Sequence, residues 1–112
     1  MRARAIRAVV GGVVLVLAVC GRGAAGPADV EIKLFQFQPG TVEVKAGSVV
    51  TWTNQDDIEH TVTSGEPEKR DGKFSTPLDG KGTRARVAFA QPGVFPYFCD
   101  RHQAMRGEIR VQ

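Results

Sequence analysis

GVFPYFCDRHQAM, residues 93–105, divides into two unlike halves. In the first half Phe95, Tyr97 and Cys99 recur at every second position, the period of a strand with one face buried. That strand ends on a thiol pointing inward between aromatic neighbours. Asp100-Arg101 then opens a tight loop that returns His102 and Met105 toward the same neighbourhood. The chain has only two cysteines, two histidines and two methionines, one of them the initiator. One of each stands here, at intervals of three.

The period of two continues on either side. Val30, Ile32 and Leu34 alternate with Glu31 and Lys33, and Val42 and Val44 with Glu43 and Lys45. Val50 and Trp52 alternate with Thr51 and Thr53. Ala85, Val87 and Phe89 follow the same rule against Arg84 and Arg86, and Ile109 and Val111 against Glu108 and Arg110. Such alternation marks strands with one face in the core and one in water. Turn formers separate them: Pro39-Gly40, Ala46-Gly47, Asp71-Gly72, Asp79-Gly80, Gly82 and Pro92-Gly93. An all-β sandwich or barrel follows. Two stretches depart from the pattern. Phe35-Gln36-Phe37 shifts the apolar parity, which predicts a bulge or bend, and Glu66–Gly72 could hold a turn of helix.

The first 26 residues belong to a different class. Arg2, Arg4 and Arg7 precede an apolar run from Ala8 to Val19 and a small-residue stretch from Cys20 to Gly26. A basic start, a short apolar run and small residues describe an export signal over residues 1–26. The run is too short for the roughly twenty residues that span a bilayer. Leu17-Ala18-Val19-Cys20 offers the alternative of a lipoprotein leader ending before Cys20, although Val19 stands where that pattern wants a small residue. The protein is therefore expected outside the cytoplasm, in the periplasm or an equivalent space, and membrane-anchored only if Cys20 is lipidated. In neither case does Cys20 pair with Cys99. Arg2, Arg4, Arg7 and Arg22 leave with the leader, so residues 27–112 keep eleven basic residues against twelve acidic ones, a net charge of −1. The basic balance of the whole chain belongs to its leader, and nucleic-acid binding loses its support. Residues 27–112 form one domain, near the lower size limit for a self-sufficient core.

A fourth candidate for the loop's chemistry lies upstream. His60, the only other histidine, opens the strand His60-Thr61-Val62-Thr63. In a two-sheet sandwich its strand end and the 99–105 loop can meet at one pole. Two imidazoles, a thiolate and a thioether are the donors of a blue-copper electron-transfer site. Zinc is the main competing metal, but its structural sites take four cysteine or histidine ligands and rarely a thioether. A Cys–His pair can also make a thiol nucleophile, yet the aromatic packing about Cys99 and two further ligands in reach oppose an enzyme. Copper delivery or storage would favour a methionine- or histidine-rich open site, and Met105 is the sole methionine available. Trp52, Phe95 and Tyr97 read as core. Asp56, Asp57 and Glu59 lack the number and spacing of a hard-cation site and read as a solvated loop.

These residues together resemble the cupredoxins, small type 1 blue copper proteins of the plastocyanin, pseudoazurin and amicyanin kind. The likeness rests on Phe37-Gln38-Pro39, Val42–Gly47, Val50–Asp56, His60-Thr61-Val62, Gly93-Val94-Phe95 and Cys99–Met105. The Cys-x-x-His-x-x-Met spacing is similar to the short ligand loop of amicyanin-like members. The resemblance implies a Greek-key β-sandwich of seven to eight strands and one copper ion. It implies His60, Cys99 and His102 as equatorial ligands and Met105 as the axial one. It also implies a monomeric carrier, not an enzyme, that passes single electrons to transient protein partners docking near His102. Two positions depart from the family pattern. Thr61 follows the first histidine where asparagine or a small polar residue is usual, and Arg101 stands where proline often precedes the second. The Thr61 hydroxyl can still tie the ligand loops, and its amide could reach the thiolate. Arg101, Gln103 and Arg106 around His102 read as solvated charge, with recognition of an acidic partner as the alternative.

Overall fold

The computed structural model describes residues 25–112. Within them nine strands follow one another: β1 (Pro27–Lys33), β2 (Gln36–Gln38), β3 (Thr41–Val44), β4 (Ser48–Asn54), β5 (His60–Glu66), β6 (Lys69–Leu78), β7 (Arg84–Phe89), β8 (Gly93–Phe98) and β9 (Arg106–Val111). One sheet runs β2-β1-β4-β7 and the other β3-β9-β8-β5-β6. β1 pairs parallel with β4, and β3 with β9; the other pairings are antiparallel. Only β1–β2, β5–β6 and β8–β9 are hairpin neighbours, and every other connection crosses between the sheets. That interleaving makes the Greek-key sandwich expected from the sequence. Among the described residues there is no helix long and apolar enough to cross a membrane. The expected leader falls on residues outside those described, save Ala25 and Gly26. Gly26 is already bonded to Ser48 and Val49, one residue ahead of the expected domain start.

The alternating residues meet between the sheets. Val30, Ile32, Val50, Trp52, Val62, Leu78 and Ile109 are fully buried, with Tyr97 beside them. Trp52 stands edge-on to Tyr97, their ring centroids 5.2 Å apart. Aromatic residues of this size each remove roughly 150–250 Å² from water, the largest single contributions to a small core. Among the described residues the Tyr97 hydroxyl finds no hydrogen-bond partner, and burial pushes its pKa up to about 12, so it stays a neutral phenol.

Nine strands exceed the seven to eight expected, for two local reasons. β6 replaces the helical turn expected within Glu66–Gly72: the chain turns back at Pro67-Glu68, and Glu66 pairs with Lys69. β6 is an edge strand exposed along most of its length, so no apolar alternation marks it. Its hairpin also carries a register shift between Thr63 and Gly65. The second addition is β2. The parity shift at Phe35, expected as a bulge or a bend, is a two-residue hairpin turn, with Lys33 paired to Gln36. Leu34, which alternation assigned to the core, is the turn's first residue and lies in solvent.

This turn violates its own chemistry. Both Leu34 (φ 55°) and Phe35 (φ 59°) adopt the left-handed conformation. Two-residue turns with φ > 0 at both positions strongly prefer Asn-Gly, because side chains other than the locally hydrogen-bonding Asn or Asp cost about 1–2 kcal/mol there. Leu34→Asn should accordingly stabilise the domain by about 1 kcal/mol, raising its melting temperature by roughly 4–8 °C. The side chain contacts solvent and the amide is retained, so the rest of the turn should be unchanged. A denaturant midpoint that does not rise would contradict the strain.

Candidate metal centre

The pole formed by the end of β8, the β8–β9 loop and the start of β5 gathers the predicted donors. Cys99 follows the last residue of β8 and is fully buried, as is His60 at the head of β5. The Cys99 Sγ lies 3.7 Å from His60 Nδ1 and 3.7 Å from His102 Nδ1. All three donor atoms lie within 4.8 Å of one another. Three ligands set trigonally about one ion at roughly 2.0–2.3 Å stand about 3.5–4 Å apart. The two sulfur–nitrogen separations fit that spacing. Met105 is buried in the same loop. The loop is closed by its own backbone: the Cys99 amide donates to the Met105 carbonyl (3.1 Å), and the Met105 amide to the His102 carbonyl (2.9 Å). Cys99 forms no disulfide among the described residues. His102 is half-buried where His60 is sealed, which leaves one imidazole edge toward the surface.

Thr61 performs both roles its position suggested. Its amide donates to Cys99 Sγ (3.4 Å), and its hydroxyl accepts the Asp100 amide (2.8 Å). The two ligand-bearing segments are thereby tied across 39 residues. Donation to a thiolate stabilises the anion the metal needs.

The reading of Asp56 as a solvated residue is overturned. Its carboxylate is only 12% exposed and bonds His60 Nε2 at 2.9 Å. It also accepts the amides of Leu34 (2.9 Å) and Phe35 (3.0 Å) from the β1–β2 turn. Partial burial pushes the carboxyl's pKa upward, but the Phe35 amide, the His60 imidazole and the Leu34 amide outweigh it. Together they hold it below the usual carboxylate range. Buried Asn54 shapes the segment that carries it, donating to the Ile58 and Leu78 carbonyls and accepting the Asp56 amide. Phe35 was missed entirely as a site residue. Its ring stands edge-on to both imidazoles, at 5.2 Å from His60 and 4.9 Å from His102. A carboxylate four residues before a histidine was the one available sign of Asp56; nothing local marked Phe35.

The guanidinium groups near His102 are matched by carboxylates. Arg101 pairs with Glu59 at 2.6 Å, Arg70 with Asp100, and Arg106 approaches Glu66 and Glu68 at 3.9 and 4.0 Å. These are exposed pairs of small individual worth. They support solvated charge over an uncompensated cationic patch. The exposed side chains that stand out at this pole are apolar: Leu34, Phe35 and Ile58.

A two-sheet sandwich with a cysteine sulfur and two imidazoles converging at one pole defines a cupredoxin. Residues 24–112 match the model of the copper binding proteins of the plastocyanin/azurin family, and the chain belongs to that family. It is 36% identical over 90 residues to amicyanin-alpha of Methylorubrum extorquens, a match covering 79% of this chain and 74% of the relative. It is 33% identical over 98 residues to plastocyanin of Scenedesmus fuscus, covering 75% of this chain and all of the relative. Among solved structures, a purple cupredoxin from Nitrosopumilus maritimus superposes with a TM-score of 0.69 at 28% identity, over 76% of this chain and 99% of that one. The cofactor is a single copper ion, which the sulfur–nitrogen donor set fits.

Proposed function

We propose that this protein is an extracytoplasmic electron carrier whose copper would be held by His60, Cys99, His102 and Met105. Bound there, copper supplies a single-electron couple. The observation that carries the reading is the preformed donor set, with Cys99 Sγ at 3.7 Å from each Nδ1 and one histidine edge left accessible. The protein's part is to hold those donors still. The Thr61 bonds, the closed 99–105 backbone and the burial of Cys99 and His60 leave the ligands little room to rearrange as charge changes. The exposed edge of His102 is the route for the electron, and transient partners dock around it through a small, weak interface. The chain acts as a monomer. Burial of the His60 imidazole and the Cys99 thiol away from solvent favours a carrier over an enzyme. Residues 1–26 serve as the export leader and place the domain in the periplasm or an equivalent compartment, with lipidation of Cys20 as the anchored alternative.

Titration of the purified domain with Cu(II) is expected to give one intensely blue chromophore per chain, with a reversible one-electron reduction. A colourless, tightly bound metal would instead favour zinc or a thiol chemistry and would remove this reading.

A further inference from the structure

The non-glycine hairpin tip and the Asp56 carboxylate describe one device. A turn that prefers Asn-Gly carries Leu34-Phe35 instead, both left-handed. Strain kept against local preference points to a role for the side chain it presents. Here that side chain is Phe35, whose ring stands over the imidazoles of His60 and His102. The same tip is bonded through both amides to Asp56, whose Oδ2 also meets His60 Nε2. Both carboxylate oxygens already accept an amide N–H at the tip, so the Oδ2 contact with His60 is completed by an imidazole Nε2–H, which leaves Nδ1 facing Cys99.

We propose that Asp56 is the positioning residue of this centre, one carboxylate that fixes the His60 tautomer and latches the β1–β2 tip so that Phe35 closes over both ligand imidazoles. The proposal rests on the ligand assignment above. It extends that assignment to a residue in the loop before β5 and to a hairpin of the opposite sheet. Asparagine at position 56 has nearly the same size but can accept on one side only, so at least one of the three donors must lose its partner. It also removes a negative charge next to a metal-binding imidazole. Alanine removes all three bonds. Alanine at position 35 leaves the latch and removes only the cover.

Three variants and two kinds of readout separate these effects. In the apo-protein, nitrogen-15 NMR is expected to show His60 protonated at Nε2, with contacts from the Phe35 ring to both histidines; Asp56→Ala should lose both signatures. In the copper-loaded protein, Asp56→Ala should weaken Cu(II) affinity by about 10- to 100-fold, the range for loss of a partner that orients a ligand. Asp56→Asn should raise the reduction potential, because the oxidised ion loses a nearby anion. Phe35→Ala should keep the tautomer while azide perturbs the visible spectrum at lower concentration than in the parent. A His60 proton on Nδ1 would overturn the proposal. So would a tautomer and potential unchanged in both Asp56 variants, even with lowered melting temperatures. The apo-protein measurement needs no metal, so the latch can fail while the copper reading stands. Equally, a parent chain without a blue chromophore would sink the copper reading and leave the latch to be judged by NMR.

Discussion

Cys99→Ser is expected to give a folded, colourless protein. In the proposed centre the Cys99 sulfur would be the one soft anionic donor, and the intense visible band of such sites belongs to the copper–thiolate bond. A serine hydroxyl does not ionise near neutral pH, so the band should vanish instead of shifting. The fold should survive. The exchange replaces one small buried side chain by another of similar size, and the Thr61 amide keeps an acceptor in reach. A change of this kind costs on the order of 1 kcal/mol, against a stability of roughly 5–15 kcal/mol for a domain. The larger consequence is in metal linkage. Metal at a thousand times its dissociation constant stabilises the native state by about 4 kcal/mol, and that increment should shrink sharply in the serine variant. Comparing melting temperatures with and without Cu(II) reads this directly. A variant that stays blue, or keeps the full metal-dependent shift, would show that the thiol at position 99 is not a ligand.

The same contrast explains what could be read from the chain alone. Strands with one buried face announce themselves, as in Val50 and Trp52 against Thr51 and Thr53, because burial imposes the period of two. β6 escapes because an edge strand in water is under no such constraint. Phe98 shows the converse. Alternation placed it outward, yet it is fully buried, outside the main core cluster and beneath the Arg70 guanidinium, whose carbon lies 5.4 Å from its ring. At the candidate metal centre the approach of Cys99 and His102 was legible because they share one loop with Met105, and that of His60 because no other histidine was left to join them. Asp56 and Phe35 were not. Their meaning arises from a contact between residues 21 positions apart, made where a hairpin of one sheet reaches the loop entering the other. No periodicity encodes that approach, and only the reversed parity at Phe35 hinted that the chain turns there.

Gly107→Ala is expected to destabilise the domain more than any surface change, and to disturb the metal loop as it does so. Gly107 is the cross-strand partner of Tyr97 in the β8–β9 pair. A Cβ at this position would fall far inside contact distance of the Tyr97 Cζ and hydroxyl. The tyrosine cannot swing clear, because its ring is pinned edge-on between Phe37 at 4.7 Å and Trp52 at 5.2 Å. Overpacking a core in this way costs typically 1–3 kcal/mol and occasionally more. The rigid aromatic neighbours put this site at the upper end. About 3 kcal/mol would lower the melting temperature of a domain this size by roughly 12–24 °C. Tyr97→Phe in the alanine background should recover only part of the loss, since the ring carbon clashes as closely as the oxygen. The strain also has a direction. β9 begins at Arg106, directly after Met105, so displacing Gly107 moves the end of the loop that carries the proposed ligands His102 and Met105. The visible spectrum of the copper-loaded variant should therefore change along with its stability, whereas an equally costly cavity in the opposite pole should lower stability and leave the spectrum alone. A Gly107→Ala protein as stable as its parent would mean that β8 and β9 do not pair in this register.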